Sequence, residues 1–278
     1  MSPFEAHRSL LFGIAYRMLG SRSEAEDMVQ EAFLRWQAAP REEVLSARAY
    51  LSTIVTRLCL DQLKSARAQR ETYVGPWLPE PLRTDQPVEP VDPQSISLAF
   101  LVLLERLGPV ERAVYLLHEV FDYSHAEVAE IVGKEEAACR QSFHRARAHI
   151  EAQRPRFAPS RADHERLLTG FLGAVQAGDL GALRGMLAKD VVTWSDGGGK
   201  RTAARNLVHG DDAVARLFVG IARKATPGGD FELAEINGWP ALILRQNGQV
   251  TDVLGIETDG ALIYSLHEMC NPDKLRGL

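Results

Sequence analysis

The feature that most limits what this chain can fold into is a change in its hydrophobic period. Up to about residue 154 apolar side chains return every three or four positions, and from about residue 231 they come in short runs parted by Asn-Gly and Asp-Gly pairs. The first pattern buries one stripe of a helix, and the second buries strands joined by tight turns. The front of the chain therefore reads as all-α and the back as α+β. Between the helical stretches, GPWLPEPLRTDQPVEPVDPQSIS at 75–97 is rich in proline and acid, which disfavours a continuous helix. It reads as an interdomain linker, in which Trp77 and Leu78 present apolar surface better explained by docking than by suspension in water.

Residues 1–74 predict a helical module. Leu10, Leu11, Ile14 and Met18 repeat at helical steps until Gly20, which tolerates a helix-ending left-handed backbone. Ser23, with Glu26 three residues on, suits a capping box for a second helix. That helix is expected to bury Ala25, Met28, Val29, Ala32, Phe33 and Trp36, leaving Glu24, Asp27, Glu31 and Arg35 outward. A third helix from about Ala47 ends with Lys64, Arg67 and Arg70 at three-residue spacing, where the cations share a surface. In residues 98–155 a short helix closes at Gly133 and a longer one carries Cys139, Phe143, Ala146 and Ile150 inward, which predicts a helix-turn-helix. Residues 162–278 predict a domain of a few helices and a curved antiparallel sheet. Its apolar cavity would be lined by Trp194, Phe231, Trp239 and Tyr264.

At 278 residues and 45% hydrophobic content, each domain has enough apolar material for its own core. No apolar stretch reaches the length of a membrane span and no signal peptide is evident, so the cytoplasm is the expected location. Cys59, Cys139 and Cys270 are too scattered for a disulfide framework or zinc ribbon, and neither metal nor cofactor is expected. A formal net charge of -5 argues weakly against nucleic acid, but Arg140 to Arg154 holds four arginines against one glutamate. On that helix Arg140, Gln141 and His144 are assigned to a DNA groove, with Arg145 and Arg147 left for phosphates or domain contacts.

With these residues in view, the chain resembles the extracytoplasmic-function sigma factors. EAEDMVQEAFLRW at 24–36 is similar to the helix with which such proteins grip core RNA polymerase. ARAYLSTIVTRLCLDQL at 47–63 resembles the helix beside the melted promoter element, and HAEVAEIVGKEEAACRQSFHRARAHI at 125–150 the helix-turn-helix that reads the upstream one. The chain departs from the wider pattern at Arg57, where asparagine is frequent, and at Ser142, where a basic residue is frequent. WLPEP at 77–81, DGGGK at 196–200 and NPDKL at 271–275 resemble a subgroup with a fused SnoaL-like domain.

The resemblance implies a factor that binds core RNA polymerase through Glu24, Asp27, Gln30, Glu31 and Arg35. It implies promoter DNA contacts from Arg57, Lys64, Arg67 and the basic helix. An interdomain regulatory set would comprise Trp77, Leu78, Asp196, Lys200, Asn271, Asp273 and Lys274, Lys200 pairing with Asp196 or with an interdomain carboxylate. No separate anti-sigma factor is required. The alternative is an enzyme or small-molecule sensor with a DNA-binding front end. Asp196 would be its leading carboxylate, with His267, Glu257 and Asp252 as weaker candidates, and its pocket would take an unidentified small ligand. A conventional repressor is disfavoured by the two separate helical modules.

Overall fold

The structure, a computed structural model, describes residues 2–39, 44–70, 72–85, 95–153, 159–224 and 228–278. The chain divides into two compact units: Met1–Thr72 with Phe100–Arg154, and Tyr73–Ala99 with Pro155–Leu278. The linker thus belongs structurally with the carboxyl-terminal residues.

In the first unit, α1 (Arg8–Leu19) stops at Gly20, whose φ of 68° is the left-handed value a helix end uses. α2 (Arg22–Ala38) is capped by Ser21, whose side chain accepts from the Glu24 N–H at 3.3 Å. The expected cap, Ser23, lies inside the helix. Ser21 follows the glycine reversal directly and has the extended backbone that a capping residue needs. α3 (Ala47–Arg70) completes the core with α1 and α2, where Leu11, Ile14, Ala25, Val29, Leu51 and Val55 are buried.

The same unit resumes at Phe100, within α4 (Leu98–Leu104), and continues through α5 (Pro109–Tyr115), which runs on into a single π turn at Leu116–Val120. α6 (His125–Val132) carries a complete capping box between Ser124 and Glu127 and closes at Gly133, φ 68°. α7 (Glu136–Gln153) follows after this turn, with Cys139, Phe143, Ala146 and Ile150 buried as their spacing predicts. Arg112 is buried, donating to the Met18 carbonyl and to Glu105, each at 2.5 Å. Burial pulls its pKa down to about 10.

In the second unit, α8 (Arg161–Ala177), α9 (Leu180–Met186) and α10 (Asp211–Lys224) cover one face of a six-stranded sheet. Its strands are β1 (Leu187–Asp196), β2 (Val208–His209), β3 (Asp230–Ile236), β4 (Trp239–Gln246), β5 (Gln249–Thr258) and β6 (Ile263–Met269). Their order is β2-β1-β6-β5-β4-β3. β3 to β6 form an antiparallel meander, but β6 returns beside β1 in the same direction, so the sheet is mixed. Phe171, Leu183, Val191, Phe218, Ile256 and Leu266 form part of the core beneath the helices. Each such side chain contributes roughly 1.5–3 kcal/mol on full burial.

The four aromatics expected to line one cavity are split. Trp194 stacks on His267 at 5.1 Å, and strand alternation through the paired register puts Phe231 on the opposite face. Trp239 stacks instead on His164 of α8. Among the described residues no helix is long and apolar enough to cross a membrane. The three cysteines are buried thiols.

Candidate functional site

Asp196 ends β1 with no exposed surface, and four donors meet its carboxylate. Oδ1 accepts from the Tyr73 hydroxyl at 2.6 Å and the Gly198 N–H at 3.0 Å. Oδ2 accepts from the Leu78 N–H at 2.9 Å and the Lys274 ammonium at 2.8 Å. Such charge-assisted bonds are what make a buried carboxylate tolerable. Lys274 also donates to the Leu78 carbonyl at 2.5 Å and lies 4.1 Å from the centre of the Trp77 ring. Asn271 donates to the Tyr73 oxygen at 2.9 Å, and burial beside Asp196 drives the Tyr73 phenol pKa well up. Lys200 pairs with Asp273 rather than with Asp196, because the Asp196 turn carries it outward toward the tail.

A second attachment holds the linker at the other end of the sheet. Asn237, fully buried with φ 53°, accepts from the Leu82 N–H at 2.9 Å and donates to the Ile96 carbonyl at 2.8 Å. Arg83 bridges to Ile236 as a short antiparallel addition to the edge strand β3, and its guanidinium donates to Glu232 at 2.6 Å. That addition covers a strand edge whose backbone groups would otherwise face water.

The other candidates named from sequence stand elsewhere among the described residues, and Asp252 lies in β5 opposite Leu244. His267 is buried against Trp194, and burial pulls its pKa down to about 4. Glu257 accepts from Ser265 at 2.6 Å. Glu268, absent from the sequence expectations, accepts from Ser195 at 2.6 Å while burial raises its pKa to about 6.

On α7, Arg140, Gln141, His144, Arg145 and Arg147 are all exposed. Steps of four and three residues align Arg140, His144 and Arg147 along one stripe, with Gln141 and Arg145 on its flank. Arg147 therefore shares a helix stripe with Arg140 and His144. Arg140 pairs with Glu136, Arg147 with Glu151 at 2.8 Å and Arg145 with Glu111 at 3.1 Å.

On α2, Asp27, Gln30 and Arg35 are exposed, Glu31 pairs with Arg35 at 2.9 Å, and Glu24 turns toward α3 to accept from Gln62 at 2.8 Å. Lys64 on α3 is exposed and bonds Asp61, whereas the Arg67 side chain lies outside the described residues. Arg57 donates to the Ile131 and Glu130 carbonyls, at 3.1 and 3.2 Å, at the end of α6.

Comparison with known proteins agrees with this architecture. Residues 3–69 match the family Sigma-70 region 2, and residues 97–150 match Sigma-70, region 4. The ECF RNA polymerase sigma factor SigJ of Mycobacterium tuberculosis is 38% identical, over all of this chain and 93% of its own length. This chain belongs to the extracytoplasmic-function RNA polymerase sigma factors. The probable sigma factor SigI of the same species is 33% identical over 98% of this sigma factor and 93% of its own length. The crystal structure of SigJ matches with a TM-score of 0.78 at 34% identity, covering 99% of this chain and 97% of that one. The function of this sigma factor is promoter-directed initiation of transcription.

Sequence reasoning missed Tyr73, Asn237, Arg83 and Glu268. Only Asn237 left a trace, as the first residue of an Asn-Gly pair, and that pair signalled the hairpin without revealing that its amide holds the linker.

Proposed function

We propose that this sigma factor works from the cytoplasm, joining core RNA polymerase through the outer face of α2 and promoter DNA through α3 and the α7 stripe. Its carboxyl-terminal α+β domain regulates it in cis, by holding the linker on Asp196. The observation that carries this reading is the set of four donors on that buried carboxylate, two of which, Tyr73 and Leu78, come from the linker side. The same geometry favours regulation over catalysis at this residue, because a general base needs an oxygen within reach of its substrate's proton, and here both oxygens are engaged.

Reconstituted transcription with core polymerase tests the reading, comparing the intact chain with a well-folded Asp196→Ala variant. Promoter-specific initiation is expected from both, with output changed several-fold by the substitution. Wild-type output on several promoters, together with unaltered linker protection in hydrogen exchange, would overturn the regulatory role. Polymerase binding without specific initiation on a broad promoter library would overturn the assignment of the polymerase and DNA faces.

A further inference from the structure

Phe143, on the buried side of α7, stands one turn from Arg140 and from Arg147 and next to His144, so its seat sets the rotation of their stripe. Rings from three other elements form that seat. Tyr115 of α5 stacks on Phe143 with the ring centres 6.1 Å apart. His118 of the π turn meets it edge-on at 4.6 Å and 86°, and His125, the first residue of α6, at 5.5 Å and 64°. The two imidazoles stack on each other at 4.0 Å and 23°.

This stack suits uncharged rings. His118 Nδ1 lies 2.7 Å from the Tyr123 carbonyl, which can only accept, so that nitrogen carries the proton. His125 Nδ1 is buried with no partner among the described residues. Charging that ring makes both its nitrogens donors and puts an unbonded N–H at the buried position. The N-terminus of α6, whose dipole opposes a cation, adds to the cost. Loss of water around the ring, then His118, Arg140 and His144, hold the His125 pKa below its ordinary value, and Glu136, already paired with Arg140, opposes them. Glu127 on the same helix end is taken up by Ser124, and Glu119 of the π turn acts on Arg147. From α3 comes Arg48, against the Tyr123 ring, and from α5 the Tyr115 phenol.

We infer that His118 and His125 are positioning residues for promoter reading: while their stack carries at most one proton it holds Phe143 and the α7 stripe, and a second proton releases that hold. The inference rests on the proposed DNA face of α7. Two stacked cations repel at contact distance, and His125, which is partly exposed, is able to swing into water and remove one wall of the Phe143 seat. The folded ring resists a proton that the unfolded one accepts, so the hold is complete above the ordinary histidine value of about 6.5 and is lost as pH falls below it. Selectivity for the upstream element should fall with it.

The test uses the full chain. Fluorescence anisotropy follows binding to duplexes with a matched or a mismatched upstream element, from about pH 7.5 to about pH 5.5 at constant ionic strength. NMR of the free protein follows the Phe143 ring and both imidazoles over the same range. The wild type is expected to lose about five- to tenfold of its discrimination, near the worth of one base contact, while the Phe143 resonances move with the histidine titration. His125→Phe keeps a stacking ring that takes no proton, and His118→Asn keeps a donor for the Tyr123 carbonyl without a charge. Each should carry its neutral-pH discrimination to the acid end, whereas His125→Ala, which removes the ring, should be poorly selective throughout. If either rescue variant is folded and still shows the wild-type fall, the effect belongs to the stripe itself and the positioning role is wrong. Wild-type selectivity in His125→Ala, or a wild-type Phe143 signal that stays fixed while both histidines titrate, would equally overturn it, whether or not the rescue variants fold. A Phe143 signal that moves with pH, without discrimination between duplexes at any pH, would support the positioning role and overturn the proposed DNA face alone.

Discussion

The Lys274 ammonium lies 2.8 Å from an Asp196 oxygen and 4.1 Å from the Trp77 ring centre, so one cation neutralises a buried acid and anchors a linker aromatic. Removing one partner of a buried pair leaves an uncompensated charge, at a cost of about 3–5 kcal/mol. Lys274→Met should therefore lower the unfolding free energy by about that amount. Adding Asp196→Asn should recover part of the loss, giving clear non-additivity in a double-mutant cycle followed by denaturant unfolding.

Gly198 has φ 59°, and a Cβ there would fall inside the Asn271 amide that donates to Tyr73. Gly198→Ala combines left-handed strain with overpacking and should cost about 2–4 kcal/mol. Gly220→Ala is the control, because a Cβ there meets nothing within 4 Å. Calorimetry should show a large fall in melting temperature for the first and little change for the second.

Neighbours on β6 give opposite pH dependences. His267, held near 4 by burial, stays neutral in the folded state while the unfolded chain takes up a proton below about 6.5. Its contribution is complete above that pH, and about 3 kcal/mol is lost as pH falls toward 4. Glu268, raised from 4.5 to about 6, keeps its proton when folded, so about 2 kcal/mol is lost as pH rises from 4.5 to 6. Urea titrations across pH 4–7 should show a flatter acid limb for His267→Gln. In Glu268→Gln the same limb should steepen, because the opposing loss is removed.

On α7, Arg140→Ala should cost about 1–3 kcal/mol of discrimination at one upstream base pair, if it reads a base edge, and leave polymerase association intact. Equal weakening on every sequence would place it on the phosphate backbone. Arg145, on the flank of the stripe, is assigned to a phosphate, so Arg145→Ala should weaken binding uniformly and reduce the salt dependence by about one counterion. Fluorescence anisotropy over a salt series with matched and mismatched duplexes separates the two.

The helical front was legible because local rules settle it. Gly20 and Gly133 stop helices, and the Cys139, Phe143, Ala146 and Ile150 spacing names the buried side of α7. The meander was equally readable from its Asn-Gly and Asp-Gly turns. What escaped was decided by distant neighbours. Asp196 sits near Lys200 in sequence but pairs with Lys274, because the tail beyond β6 is brought alongside β1 by the parallel pairing. The same pairing separates Trp194 from Phe231, which alternation within any single strand could not reveal.

The Asn237 amide has a consequence for how this protein can diverge. Its oxygen holds the Leu82 N–H and its nitrogen the Ile96 carbonyl, so the two exits of the intervening segment stand side by side whatever lies between them. Closing a longer loop adds only about 0.6 kcal/mol for each doubling of length. Changes of length between Leu82 and Ile96 should therefore leave the two Asn237 amide bonds and the start of α4 in place.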